Sequence, residues 1–297
     1  LRIVIAGPDE TAEDHANFLY RALVRMKHIP YIYDYRRKGV SGLKDICAFH
    51  DAQLLLVLKG EIVRPDKLKS IECPRVLWCP DDPARSFIAL QHFNNKPWGS
   101  YYDLVATHSY KALNMYKEAG LNASFIPFSY DPLFHYPNWN VAKNDTYTYD
   151  ISFLGSTGDV VINDKKYYSR LEALNRIHAV YPNKLMVGHA WLDNASTFVS
   201  QCKINLNIPY SDQINVRHFW LCACGGFQLC RYTSEAEKYF GKNIVFWKDI
   251  PECLELIQYY LDNDKERKKI AKKGYNFVKK KGDYTQRLKA IFKLLKL

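Results

Sequence analysis

The sequence predicts an α/β protein built from two doubly wound parallel sheets. Three observations carry this expectation. Short, continuous apolar runs closed by Gly, Pro or a polar turn alternate with helix-period segments through the first half. The rhythm breaks over residues 129–149, which are rich in Pro, Asn, Asp and Tyr. The same grammar then resumes at residue 150. Strands of a parallel sheet are covered on both faces, so they read as unbroken apolar runs rather than as an alternation. A chain of 297 residues also suits two domains of about 150 residues better than one larger core.

The elements follow in order. RIVIA (2–6) is a strand stopped by Gly7-Pro8, and residues 11–27 place Ala12, Ala16, Leu19, Leu23 and Met26 at helical spacing. YIYDY (31–35), LLLVL (54–58), RVLWC (75–79), DLVAT (103–107) and SFIPF (124–128) supply five further strands, with a helix over 109–119. After the candidate linker come DISFLG (150–155), a helix over 166–181, KLMVG (184–188) and KINLNI (203–208). A helix over 214–224 precedes GFQLC (226–230), a helix near 234–239 and NIVFW (243–247). Helices over 251–262 and 264–280 follow. The last helix, 284–297, sets Leu288, Ile291, Leu294 and Leu295 on one face with basic residues opposite, a face that must dock on something.

Composition narrows the class. Hydrophobic residues make up 47% and charged residues 25%, an ordinary globular balance. The longest clean apolar runs, LLLVL and FWLCAC (219–224), fall far short of the roughly 20 residues of a membrane span. LRIVIA lacks the length and cleavage site of a secretory leader. Eight scattered cysteines show no zinc spacing, which favours free thiols and a cytoplasmic location. The net charge of +11 is unevenly placed: residues 265–297 hold thirteen Lys/Arg against two acids, and the rest balances. Such a tail suits contact with an anionic surface, or is simply a solvated helical face.

Open parallel sheets bind ligands at the carboxyl ends of their strands. In the second half those ends suit a diphosphate. FLGSTGDV places Gly155 and Ser156 where backbone N–H groups can approach an anion. Arg170 and Arg217 offer forked donors, and Gly225-Gly226 ends the 214–224 helix sharply. In the first half, Asp81 and Asp82 follow a strand, and His108 and His15 stand near strand ends, as candidate bases.

Taken together, INVRHFWLCACGGFQL, the segment from SEAEKYFGKNIVFW to KKGYNFV, and LLLVLKG, RVLWCPDDP, DLVATHS and YDISFLGS resemble GT-B glycosyltransferases. The likeness is to the set called glycosyl transferases group 1, which includes spore-maturation proteins. That resemblance implies a GT-B fold, two Rossmann-like domains facing a cleft. It places an acceptor domain at 1–135, a nucleotide-sugar domain at 149–283, and helix 284–297 packing back on the first. It implies transfer of a hexose-type sugar from a nucleotide diphosphate, such as a UDP-sugar, to an acceptor hydroxyl. No metal and no further cofactor are needed. Donor contacts are implied for Gly155, Ser156, Arg170, Asn215, Arg217, Gly225, Gly226 and Glu235, and catalytic work for Asp82, Asp81 and His108.

One departure stands out. Many relatives carry an acid five positions before the first glycine, where it grips the donor ribose; here that position is Trp220. Asp212 stands eight residues earlier, and Glu235 or Glu237 are candidate substitutes. Without a metal, positive side chains must hold the leaving diphosphate, and Arg170 and Arg217 with the Gly155-Ser156 loop are expected to do so. Replacing Arg217 with Ala should lower turnover at least tenfold. Two other functions are open to the sequence. One is a DNA-directed glycosyltransferase, or a nucleic-acid-binding protein, that grips through the basic tail and stacks Tyr275, Phe277 and Tyr284 on bases. The other is an inactive sugar-nucleotide-binding protein, suggested by Trp220. The acceptor, whether glycan, protein, lipid or DNA, is not encoded in any motif.

Overall fold

A computed structural model describes residues 1–10, 15–79, 88–158, 161–162, 165–166, 169–188 and 192–297. Asp81 and Asp82 lie outside the described residues. The chain divides into two compact units, Leu1–Phe128 with Tyr284–Leu297, and Ser129–Asp283.

The first unit is a six-stranded parallel sheet. Its strands are β1 (Arg2–Ala6), β2 (Ile29–Tyr33), β3 (Leu54–Leu58), β4 (Arg75–Cys79), β5 (Leu104–Thr107) and β6 (Ala123–Phe125), in the spatial order β2-β1-β3-β4-β5-β6. Every residue of β3 is buried, as an all-apolar central strand requires. β2 lies two residues earlier than the apolar run suggests. Asp34 leaves the strand to accept hydrogen bonds from the amides of Arg36 and Arg37, capping a short turn of helix over Tyr35–Lys38. Tyr35 then buries its ring and donates its hydroxyl to the Leu58 carbonyl at 2.7 Å.

Helix α1 (His15–Arg25) packs on this sheet, as does α2 (Leu43–Phe49); α3 (Tyr110–Glu118) is capped by Ser109, whose hydroxyl accepts from the Ala112 amide at 3.1 Å. The terminal helix Tyr284–Leu295 lies against α1 within this unit. Its buried face is Tyr284, Leu288, Ile291 and Phe292, whereas Leu294 is exposed. The stripe runs by four, three and one residues from Tyr284, which leaves Leu294 at its border. Tyr284 stacks on Phe18 at 5.5 Å, and Arg287 donates Nε to the carbonyls of Pro127 and Phe128.

The second unit has five parallel strands: β7 (Tyr149–Leu154), β8 (Leu185–Gly188), β9 (Cys202–Asn207), β10 (Gln228–Arg231) and β11 (Val245–Trp247), ordered β8-β7-β9-β10-β11. Residues 129–149, read as a linker, hold helix α4 (Trp139–Asn144) and fall with this unit. The other helices are α5 (Arg170–Val180), α6 (Leu192–Ser200), α7 (Arg217–Ala223), α8 (Ser234–Phe240), α9 (Ile250–Asp262) and α10 (Asp264–Lys281). Ile151, Phe153, Ile204, Leu206 and Leu229 face one apolar core. The intervening positions Ser152, Asn205, Asn207 and Gln228 are polar and buried.

Both sheets reverse strand order between their first and third members, β1 beside β3 and β7 beside β9. The carboxyl ends at such a reversal form the ligand crevice of doubly wound folds. The aromatics of the basic tail are engaged by the protein itself. Phe277 packs on Tyr239 and Phe240, Tyr275 meets Trp139, and Tyr284 is buried. Tyr284 thus has no face left for a base, whereas Tyr275 and Phe277 keep part of their surface exposed. All eight cysteines are free thiols. Among the described residues no helix is long and apolar enough to cross a membrane.

Candidate functional site

At the reversal of the second sheet, two arginines meet the turn after the first strand, Arg217 at Gly155 and Arg170 at Ser156. β7 ends at Leu154, and Gly155 adopts φ +144°, a backbone that side-chain-bearing residues rarely take. A Cβ on Gly155 would stand 1.9 Å from Nη2 of Arg217. The guanidinium of Arg217 therefore rests on bare backbone.

The two arginines do different things. Arg170, the first residue of α5, is buried and donates Nε to the Ile208 carbonyl at 2.6 Å and Nη1 to the Ser156 carbonyl at 3.0 Å. It ties the loop after β7 to the loop after β9. Tyr210 covers its guanidinium at 3.4 Å and donates its hydroxyl to the Gly158 carbonyl at 2.6 Å. Arg170 does not pair with Glu172, which binds Arg176 instead.

Arg217 is less satisfied. Its Nη1 lies 3.5 Å from Oδ1 of Asn207, a long contact, and its guanidinium stands 5.0 Å from the Phe153 ring. Its Nε is buried without a hydrogen-bond partner, and among the described residues no carboxylate pairs with it. Burial, then repulsion from Arg170, pushes its pKa down to about 9. A desolvated cation without an anion is unfavourable unless something else neutralises it.

A ladder of amides holds Arg217 in place. Asn215 donates Nδ2 to Oδ1 of Asn207 at 3.0 Å, Asn207 donates Nδ2 to Oε1 of Gln228 at 3.0 Å, and Gln228 donates Nε2 to the His218 carbonyl at 3.2 Å. His218 is fully buried, accepts the Asn215 amide on Nδ1 at 3.1 Å, and stacks on Phe240. Asn207, Tyr210 and Gln228 are neighbours of the arginines that the sequence did not single out. The available signal was the alternation inside KINLNI, which sets Asn205 and Asn207 on the same face.

Other expected donor contacts lie elsewhere. Gly225 and Gly226 stand eight and nine residues along from Arg217, about 12 Å at helical rise. Gly225 has φ +75°; its amide bonds to the Cys222 carbonyl, and the Gly226 amide bonds to that of Leu221. This is a Schellman ending. A Cβ on Gly226 would meet Val199 at 2.5 Å and Asn205 at 2.9 Å. The glycine pair thus serves helix termination and close packing. Trp220 stacks near His135 and packs on the apolar group of Leu154, Val199, Leu221 and Cys224. Asp212 accepts from the amide and hydroxyl of Ser234, at the start of α8. Glu235 is buried in the first turn of α8, and Glu237 is exposed and accepts from Tyr232.

In the first unit, His108 is buried with Nδ1 3.3 Å from the Cys79 carbonyl, and its ring lies 4.6 Å from Phe128. His15 shares this aromatic cluster, edge-on to Trp78, Phe128 and Tyr284. Burial, then the charges of His108 and Lys59, push His15 down to about 3. Burial likewise takes His218 to about 3. A base that weak is poorly matched to proton abstraction near neutrality, and the ring of His15 packs among aromatics.

These two histidines predict an acid sensitivity. Unfolded, each takes a proton near 6.5; folded, neither does so until about 3. Stability is therefore fully present above pH 6.5 and lost as pH falls through that window, by about 1.4 kcal/mol per unit per histidine. His218→Asn keeps an acceptor for the Asn215 amide and should remove one proton from the slope, measured by urea denaturation between pH 6.5 and 4. An unchanged slope would show that His218 titrates normally in the fold.

Comparison with known proteins gives the class. Residues 147–293, about half of the chain, match the family described as "Glycosyl transferase-like". Over its full length the chain resembles HepE of Anabaena, solved in complex with UDP-glucose, with 10% identity, both chains covered completely and a TM-score of 0.68. It also resembles sucrose-phosphate synthase of Thermosynechococcus elongatus, at 9% identity, 99% and 98% coverage and a TM-score of 0.69. The β-glucosyltransferase of phage T4 aligns over both whole chains at 13% identity, with a TM-score of 0.59. At such identities the structural likeness is one of fold. No curated protein matches the sequence. The whole chain has the GT-B fold of the glycosyltransferases it resembles, and the family match runs through most of the second unit into the terminal helix.

Proposed function

We propose that the protein transfers a sugar from a nucleotide diphosphate donor, with Arg217 receiving the leaving diphosphate. The observation that supports this most is the half-buried Arg217 guanidinium lying on Gly155 at the strand reversal, with no carboxylate partner among the described residues. An anion at the guanidinium would restore the depressed pKa and offset the desolvation. As the sugar–phosphate bond breaks, negative charge grows on the departing phosphate. A cation fixed in advance by the amide ladder stabilises that charge without reorganising. Arg170 acts on the same step as a positioning residue, because its donors hold the Ser156 and Ile208 carbonyls. In this reading the arginines do the electrostatic work that a bound metal does in other transferases. UDP-glucose, the ligand seen with HepE, is the first donor to test.

The test is a thermal-shift series with UDP-, GDP-, TDP- and ADP-sugars. The matching donor at about a hundred times its Kd should raise Tm by roughly 5 °C. The shift should vanish in Arg217→Ala. A donor that binds Arg217→Ala as well as the parent would remove the assignment. Trp220, packed where relatives carry an acid, favours one second reading: a protein that binds the sugar nucleotide without turning it over. A Tm shift without release of nucleotide diphosphate in any acceptor mixture would decide for it.

A further inference from the structure

At the opposite, amino-terminal edge of the second sheet lies a pocket of about 270 Å³ that the sugar-nucleotide reading does not use. It opens beside the first residues of β9, whereas Arg217 sits beyond the last. Six strand residues separate the two places by about 20 Å.

The pocket is apolar within and cationic at its mouth. Val199, Cys202, Cys224, Phe227 and Ala271 form the inner lining, all buried. Trp139 makes one wall. Its ring is pressed against Gly225, where a Cβ would stand 2.8 Å away, and Lys272 Nζ lies 4.5 Å above it. Tyr147 also lines the pocket, with Arg267 at 5.5 Å and Lys268 at 5.8 Å from its ring.

Five cations line the pocket, the partly or fully exposed Lys143, Lys203, Lys268 and Lys272 and the buried Arg267. Three of them are already neutralised. Lys203 pairs with Asp150, and Arg267 and Lys268 pair with Asp264. None of those acids lines the pocket. Lys143 and Lys272 have no carboxylate partner among the described residues. The mouth therefore carries excess positive charge over a space walled by an indole and a phenol.

We propose that this pocket binds an amphipathic anion: a flat aromatic body of one or two rings carrying a single carboxylate or similar group. A cavity of roughly 150 Å³ holds benzene, so the space suits a bicyclic ring. The ring lies between Trp139 and Tyr147 over the Phe227 floor, and the anionic group reaches Lys143 and Lys272. An acyl chain fits the apolar lining but leaves both aromatic walls without a stacking partner. This site is independent of the donor site and of the sugar-transfer reading.

Naphthoate is the probe, titrated calorimetrically into the full chain, with naphthylmethanol as its neutral counterpart. Saturable one-site binding is expected. The double variant Lys143→Ala, Lys272→Ala should weaken naphthoate roughly tenfold while leaving naphthylmethanol unchanged. Arg217→Ala should leave naphthoate binding as it is, since that arginine lies at the other edge. Absence of saturation up to about 5 mM overturns the proposal. So does full affinity in the double lysine variant, which would leave the probe uncontacted by the mouth. Loss of binding in Arg217→Ala overturns it as well, because the anion would then occupy the strand-reversal site.

Discussion

Arg217→Ala loses roughly a hundredfold in turnover of the matching sugar nucleotide, read as release of nucleotide diphosphate. Removing one preorganised charge donor from a developing anion typically has an effect of that size. Arg217→Lys recovers only part, because an ammonium on a flexible stem reproduces neither the fork nor the contact with Phe153. The same position yields a second readout of opposite sign. Without ligand, Arg217 is a desolvated cation, pushed down to about 9 by burial and by Arg170, with Nε unpartnered. Arg217→Met removes that charge while keeping an apolar chain over Gly155. The ligand-free variant should gain about 1 kcal/mol of stability, as functional sites often cost their protein. Activity lost together with stability would instead make Arg217 a structural residue. Turnover unchanged in Arg217→Ala would end its role in catalysis.

The division of labour between the arginines shows what a sequence withholds. Both residues were legible as forked donors near strand ends. Their difference was not, because Arg170 is consumed by the carbonyls of Ile208 and Ser156, and backbone carbonyls leave no mark in a sequence. Gly155 was legible as a strand stop. That its missing Cβ makes room for a side chain 62 positions later is a tertiary fact. The strands themselves were the most readable part, since LLLVL and RVLWC have the composition that only a doubly covered strand tolerates. β2 was misplaced because Tyr33 and Tyr35 continue the apolar pattern across Asp34, whose capping bonds decide the matter. The conformation of the Gly225-Gly226 pair follows from helix-end rules without any ligand. Short helices such as α4 and α6 escaped because their stabilisation is tertiary rather than periodic.

Gly155→Ala carries the second large effect, and a double-mutant cycle separates its causes. Two penalties act at this position. The backbone sits at φ +144°, where an L side chain is strained by about 1–3 kcal/mol whatever its neighbours. The new methyl would also stand 1.9 Å from Nη2 of Arg217, so the guanidinium must leave. Displacing it breaks the weak bond to Asn207 and moves the charge away from the strand reversal. Gly155→Ala should therefore destabilise the protein by about 3 kcal/mol and abolish turnover to the level of Arg217→Ala. In an Arg217→Ala background the collision is gone and only the backbone strain remains. The cost of Gly155→Ala should then fall by about half, a coupling that urea denaturation of the four variants measures directly. Additive stabilities would mean that Arg217 does not rest on this glycine, and the arrangement on which the diphosphate reading stands would be lost with it.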